Sequence, residues 1–345
     1  MKNSKIWKFN IIYFSTLTLV AVVFFFGHLG WITNEFFSSL LIQAVIMFAV
    51  PLLMLTIFNK QSVKKSLTDC GFKKISLKMI GISVLIGFVL YLINSFIASF
   101  SASIISLLGY ETLSSPAQTD LSYSSAFKDL ILSCILPGIC EEFIHRGVMV
   151  HAQSKHTNKK YCLIISSILF GLAHLNIQQF LYAGIMGFFI GYIGIVSHSI
   201  YPCMIVHFMN NFLSSYFVYG KHLNWPFVQL YEFILDILYS NSLMFVSTSF
   251  VSVIGLFYLY KYLCKILLKS RAQYDVSTTI RLFKTGKISE EQTRVSIENI
   301  NNSLKNPLFD EKISEKSTFF DKIPLICSFV LGFFITISSF IWGII

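Results

Sequence analysis

The sequence predicts an all-α fold, a polytopic bundle of about eight to nine membrane helices. Three observations predict it. Of the 345 residues, 54% are hydrophobic and only 13% charged, whereas soluble domains carry about a quarter charged residues, and the mean hydropathy is +0.67. Apolar runs long enough to cross a hydrocarbon core of ~30 Å, about 20 helical residues each, recur along the chain. The runs are continuous rather than alternating, and lipid offers no water to an unpaired backbone, so helices are expected in place of strands.

Spans are expected near 11–26, 40–58, 80–100, 130–150, 161–175, 177–196, 201–218, 243–260 and 323–345. The first run follows Lys2, Lys5 and Lys8 in the manner of a signal peptide. It continues past Phe26 without a small-x-small cleavage site, so a retained helix is expected. If every span is real, alternate connections should be basic. Lys and Arg do collect in 2–8, 60–78, 155–160 and 261–287, while 29–39, 111–120 and 220–240 are poor in them. This pattern predicts a multi-pass protein of the cell membrane with a cytoplasmic amino terminus and an external carboxyl terminus. Residues 227–239 are apolar but short and carry Glu232 and Asp236, which suits an interfacial helix. Residues 269–322 form a polar cytoplasmic segment, partly helical or disordered. The organisation is therefore amino-terminal membrane helices over 1–77, a membrane core over 78–220, an interfacial helix and a further span over 221–268, the polar segment 269–322 and a final helix over 323–345. No internal repeat is visible.

The net charge of +10 follows from this topology, and no nucleic-acid partner is expected. The seven cysteines are scattered and form no C-x-x-C pair, as expected of small core residues.

Ionisable groups inside a bilayer cost several kcal/mol unless paired or functional, on the order of 2.5 or more each. Three expected spans carry them. The fourth holds Glu141, Glu142, His145 and Arg146, the fifth ends in His174, and the seventh holds His207, Asn210 and Asn211. Glu142 precedes Arg146 by four residues, the favourable order for a pair on one helical face. Glu141, turned about 100° from Glu142, faces elsewhere and is a candidate general base in a desolvated cavity. Pro137 and Gly138 lie one turn earlier and are expected to kink the helix and admit water. His207 and Asn211 share a face and can together donate hydrogen bonds to an oxyanion, with Asn210 as a competitor. His174 either orients the water that Glu141 deprotonates or holds a metal. His145, four residues from Glu141, is expected to pair with it. His28, His151, His156, His198 and His222 fall at helix ends or in loops and are expected to be solvated or interfacial.

In order and spacing, Glu141-Glu142-Phe143-Ile144-His145-Arg146, then Phe170-Gly171-Leu172-Ala173-His174, then His207-Phe208-Met209-Asn210-Asn211 resemble the motifs of the CPBP family. These are CAAX-prenyl-peptidase-like and bacteriocin-processing membrane proteases, also called Abi. The resemblance covers 78–218. It implies an intramembrane endopeptidase in which Glu141 and His174 activate water, His207 and Asn211 stabilise the oxyanion, and Glu142 and Arg146 support them. Members have been read both as zinc and as glutamate peptidases; no metal cofactor is expected here, the zinc alternative being Glu141, His174 and His207. The implied partners are a peptide or membrane-protein substrate and the lipid bilayer. Two readings from other classes stay open: a transporter using Glu141, Glu142, His174 and His207 as a proton relay, and a non-catalytic scaffold or immunity protein.

Overall fold

The computed structural model describes residues 5–110, 120–239, 242–308 and 318–342. Lys2, most of the expected external connection 111–120, residues 309–317 of the polar segment and the last three residues of the final expected span lie outside the described residues. Among the described residues all regular structure is helical. The helices in chain order are α1 (Ile6–His28), α2 (Glu35–Asn59), α3 (Val63–Asp69), α4 (Leu77–Leu107) and α5 (Tyr123–Asp129). Next comes α6, built from three contiguous pieces, Leu130–Ile135, Leu136–Glu142 and Phe143–Ala152, the outer two with π-helical pairing. There follow α7 (Lys159–Ala173), α8 (Ile177–Ser197), α9 (Tyr201–Leu223), α10 (Val228–Tyr239), α11 (Ser242–Lys284), α12 (Glu290–Lys305) and α13 (Phe319–Trp342).

Local sequence accounts for where these helices begin. The side chains of Asn34, Ser62, Ser76, Ser122, Asn158 and Asn176 each accept a backbone N–H of the first turn that follows them, satisfying donors that would otherwise lack partners. Ser289 and Gln292 close a reciprocal capping box on α12.

Six helices among the described residues are long and apolar enough to cross a membrane: Ile6–His28, Glu35–Asn59, Leu77–Leu107, Ile177–Ser197, Phe250–Lys284 and Phe319–Ile341. This is a multi-pass membrane protein. Three further expected spans are helical but fall outside that set: α6, which changes helical pairing twice; α7, only 15 residues long; and α9, which carries His207, Asn210 and Asn211. The three carry or directly precede the polar groups of the cavity.

The interfacial stretch expected over 227–239 is the helix α10. The expected break after residue 260 is corrected: α11 runs on through Lys284 as one helix of 43 residues. No Gly or Pro occurs between Gly255 and Gly286 to stop it.

Helical packing gathers the basic connections at one end of the bundle. Lys8 Nζ donates to Phe58 O at 2.5 Å and Asn59 Oδ1 at 3.3 Å, Lys155 pairs with Asp69 at 2.6 Å, and Arg271 donates to Lys74 O at 3.0 Å. At the other end, Ile177 N donates to Ser339 Oγ at 3.0 Å, and the Tyr110 and Phe340 rings stack. The start of α1 and the end of α13 therefore lie at opposite ends, as the alternation of charge predicts.

Two apolar clusters flank the centre. One joins α1, α2 and α6 through Tyr13, Met47, Phe143 and Val148; the other joins α4, α8, α9 and α11 through Ile86, Ile190, Val206 and Leu267. All seven cysteines are free, six of them buried. Large apolar side chains such as Leu53, Leu85, Phe333 and Phe334 point outward, where a hydrocarbon solvent makes their exposure costless.

Candidate active site

A cavity of about 840 Å³ opens between the two clusters, and Glu141, His174, His207 and Asn211 all line it. The four come from α6, α7 and α9, and two features of α6 bring them together. Pro137 stands inside the continuous α6, where it has no N–H to give to Ser133 O four residues back, and that oxygen accepts from Asn211 Nδ2 of α9. Gly138 brings α6 against α9; a Cβ there would lie 3.3 Å from both Met204 O and Phe208 N.

Beneath the cavity lies a fully buried ion pair. Arg146 Nη1 donates to Glu142 Oε1 at 2.8 Å, and both side chains have 0% exposure. The guanidinium also donates to Gly187 O at 3.1 Å and lies 4.3 Å above the Phe170 ring. The pair matches charge for charge, while Glu142 Oε2 and Arg146 Nε are buried without a hydrogen-bond partner. The same Glu142 oxygen accepts from His207 Nδ1 at 2.7 Å. That bond fixes the imidazole so that Nε2 faces Glu141 Oε2, 4.0 Å away. The remaining gap is too long for a direct hydrogen bond and suits an intervening water or substrate oxygen.

Glu141 is half-buried, and its other oxygen, Oε1, accepts from Gln43 Nε2 at 2.8 Å. The expectation that Glu141 faces the cavity agrees with this geometry, but the carboxylate is held rather than unengaged. The expected Glu141–His145 side-chain pair is corrected. His145 Nδ1 instead bonds the Glu141 backbone carbonyl at 2.8 Å, and its Nε2 meets Tyr13 Oη at 3.1 Å. Tyr13 Oη in turn donates to Leu169 O at 3.0 Å. Competition from the backbone four residues back took this imidazole out of the cavity.

His174 Nδ1 bonds Phe170 O at 2.9 Å; a carbonyl only accepts, so Nδ1 carries the proton and Nε2 is left as an acceptor. Phe170 organises the histidines, its ring meeting His145, His174 and His207 edge to face. Asn211 Nδ2 donates to Ser133 O at 2.9 Å, and Asn210 bridges Asn211 Oδ1 to Asn94 across α4. Asn211 keeps a second amide hydrogen for a ligand.

The contributors that the sequence left unassigned are Gln43, Tyr13, Asn94 and Ser133. Gln43 and Asn94 were visible as amides inside apolar runs, the same signal that marked Asn211. No spacing rule linked them to residues 98 and 116 positions away. Among the described residues no three His, Cys, Asp or Glu groups converge to hold a metal ion.

The site depends on close contact between α7 and α8. A Cβ on Gly171, inside the Phe170-to-His174 motif, would lie 2.5 Å from Phe180 O. Gly171→Ala is expected to lose about 1–3 kcal/mol through overpacking against backbone, read as a lowered thermal midpoint in detergent. An unchanged midpoint would mean the two helices are not packed as described.

Fold and site together define a helical membrane protein with acid, imidazole and amide groups converging on a cavity within the bundle. Comparison with known proteins finds similarity to membrane peptidases. A model for type II CAAX prenyl endopeptidase Rce1-like proteins matches residues 123–213, a stretch that includes Glu141, Glu142, Arg146, His174, His207 and Asn211. "Putative membrane peptidase YdiL" of Bacillus subtilis (strain 168) is 25% identical over 223 residues, covering 60% of this chain and 84% of that protein. No solved structure matches. The two matches support a membrane protease of the CPBP family, the family whose motifs these residues resemble.

Proposed function

We propose that the protein is an intramembrane endopeptidase that hydrolyses peptide bonds of membrane-associated peptides or proteins with water activated by Glu141. The observation that carries this reading is the division of labour between the two adjacent acids. Glu142 is fully buried with its Oε1 shared by Arg146 and His207, whereas Glu141 presents Oε2 to the cavity, 4.0 Å from His207 Nε2.

A water between Glu141 Oε2 and His174 Nε2 gives its proton to the carboxylate while its oxygen attacks the substrate carbonyl carbon. The carbonyl becomes a tetrahedral oxyanion that accepts hydrogen bonds from Asn211 Nδ2 and from His207 Nε2. His207 gives Nδ1–H to Glu142, so its Nε2 donates when the ring carries both protons. Breakdown expels the amine, which takes the proton from Glu141. One water is consumed, one C–N bond breaks, and the carboxylate is restored. Gln43 acts as a positioning residue in this scheme by holding Oε1. The Rce1-like match raises release of a carboxyl-terminal peptide as one form of the reaction. The same chemistry serves processing of bacteriocins or membrane-bound regulators.

The test is incubation of purified protein in lipid nanodiscs with a membrane-peptide pool in 18O-water, with and without a chelator, followed by mass spectrometry of peptide ends. New carboxyl termini carrying one 18O, unaffected by the chelator, are expected. Loss of cleavage on chelation, restored by zinc, would overturn the metal-free mechanism. Proton-coupled solute uptake by the same preparation, without new termini, would instead favour transport.

A further inference from the structure

The 840 Å³ cavity that holds Glu141 has a direction. α4, α7 and α9 start at the basic end of the bundle, and α6 and α8 finish there. Toward that end the lining stops at Tyr91, Phe170 and His207 on the first three and at Glu141 and Ile190 on the other two. Roughly two to four turns of each helix except α7, and about three of α7, therefore lie between the cavity and the basic end. In the opposite direction the lining reaches Ser133 in the first turns of α6, Gln179 in the first turn of α8 and Lys221 in the last turn of α9.

The turns on the basic side are packed shut. Ile86 of α4, Phe143, Val148 and Met149 of α6, and Cys203 and Val206 of α9 are fully buried. A second cavity, of about 380 Å³, does lie at the basic end, with Lys73 and His151 in its walls and Asn302 and Ser303 of α12 closing one side, but it shares no lining residue with the first. The His151 ring helps to seal its inner wall. Gly71 has φ +87°, a conformation that only glycine adopts without strain, and turns the chain so that this ring packs directly against it. Gly194 brings α8 to the same ring; a Cβ there would lie 3.4 Å from His151 Nε2. That nitrogen is buried and has no hydrogen-bond partner in the structure. The sequence-based expectation of a solvated His151 is corrected accordingly.

The other end is built as a mouth. Ser214, Val218 and Lys221 line the cavity there and are exposed. The rings of Tyr91, Phe217 and Tyr231 stack in series beside them, with centroids 5.8 and 4.0 Å apart. Tyr231 belongs to α10, the short apolar helix suited to an interface, and aromatic rings of this kind gather where a membrane meets water. Glu232 of α10 pairs with Lys221 at 2.6 Å and fastens that helix beside the opening.

We propose that substrate reaches Glu141 from this end, the external one when the basic connections are cytoplasmic, and that the substrate class is an exported peptide or an extracytoplasmic segment of a membrane protein at the outer interface. A cytosolic peptide would have to pass the packed turns of α4, α6 and α9. The substrate class rests on the peptidase reading; the position of the mouth does not.

The test uses the full chain carrying Cys327→Ser, with the six buried cysteines left in place. To it is added Ser95→Cys of α4 or Ser214→Cys of α9, both in the cavity wall, or Ser277→Cys, exposed on α11 beyond the basic end. Intact cells are treated with a charged, membrane-impermeant methanethiosulfonate, and modification is read by mass before and after permeabilisation. Thermal midpoints in detergent establish that each variant is folded. Thiol modification follows access, so on intact cells Ser95→Cys and Ser214→Cys are expected to react at least about tenfold faster than Ser277→Cys, which should react only after permeabilisation. Faster reaction of Ser277→Cys on intact cells overturns the proposal. So does a lack of reaction at Ser95→Cys and Ser214→Cys in folded protein from either side of the membrane. A peptide pool supplied outside intact cells expressing the wild type is expected to yield new peptide ends. Labelling as expected, with no new ends from wild type in cells or in nanodiscs, overturns the peptidase reading and the substrate class with it, and leaves the mouth where the labelling puts it.

Discussion

Glu141→Gln is expected to abolish cleavage while leaving the protein folded. The substitution keeps the shape of the side chain and its contact with Gln43, since an amide both donates and accepts. It removes the carboxylate proposed to take a proton from water and return it to the leaving amine. General-base catalysis contributes about 10²–10⁴ in rate, so turnover should fall by at least that range. The measurement is the appearance of new peptide ends in membranes of cells expressing wild type or variant at matched abundance. Glu142→Gln serves as the contrast, since Glu142 is committed to Arg146 and His207 and its loss should act through stability and the orientation of His207. Undiminished cleavage by Glu141→Gln would remove the proposed base, and the absence of new peptide ends from both wild type and variant would leave the scaffold reading standing.

The largest effect on stability is expected from Arg146→Met. The guanidinium is fully buried, bonds Glu142 at 2.8 Å and Gly187 O at 3.1 Å, and lies against Phe170. Methionine fills much of the space but strands a carboxylate inside the bundle. Breaking one side of a buried pair costs about 3–5 kcal/mol, whereas replacing both sides is often close to neutral. The double variant Glu142→Gln/Arg146→Met should therefore recover most of the loss, because the new amide would still accept from His207 without carrying charge. Thermal midpoints in detergent for the two singles and the double complete the cycle. A double variant no more stable than Arg146→Met would show that the arginine acts through Gly187 and Phe170 rather than through charge.

Much of the site was legible because a membrane makes polar residues conspicuous. Glu141, Glu142, His174, His207 and Asn211 stood out inside apolar runs, and four-residue spacing anticipated the Glu142–Arg146 pair found at 2.8 Å. The same spacing misled for His145, whose ring bonds the carbonyl four residues back rather than the carboxylate. Periodicity gives the direction of a side chain and leaves open which of several acceptors along that direction it takes. Gln43 illustrates the complementary limit. It lies outside the family-matched stretch, in a π-helical portion of α2, and meets Glu141 only because that helix packs on α6.

What the sequence determined by itself was one-dimensional. Lipid enforces helix, hydropathy sets where helices lie, and the alternation of Lys and Arg sets which ends share a side, so fold class, helical runs and basic end could all be read from composition and spacing. What only the tertiary structure decided was lateral. The junction of α6, α7 and α9 around one cavity, the sharing of Glu142 between Arg146 and His207, and the basic cavity closed by α12 depend on close approaches. Those approaches occur at Gly71, Gly138, Gly171 and Gly194 and on the changes of helical pairing within α2 and α6. Such contacts arise from the fit of surfaces distant in sequence, and a local pattern of polar and apolar residues carries no record of which surfaces will meet.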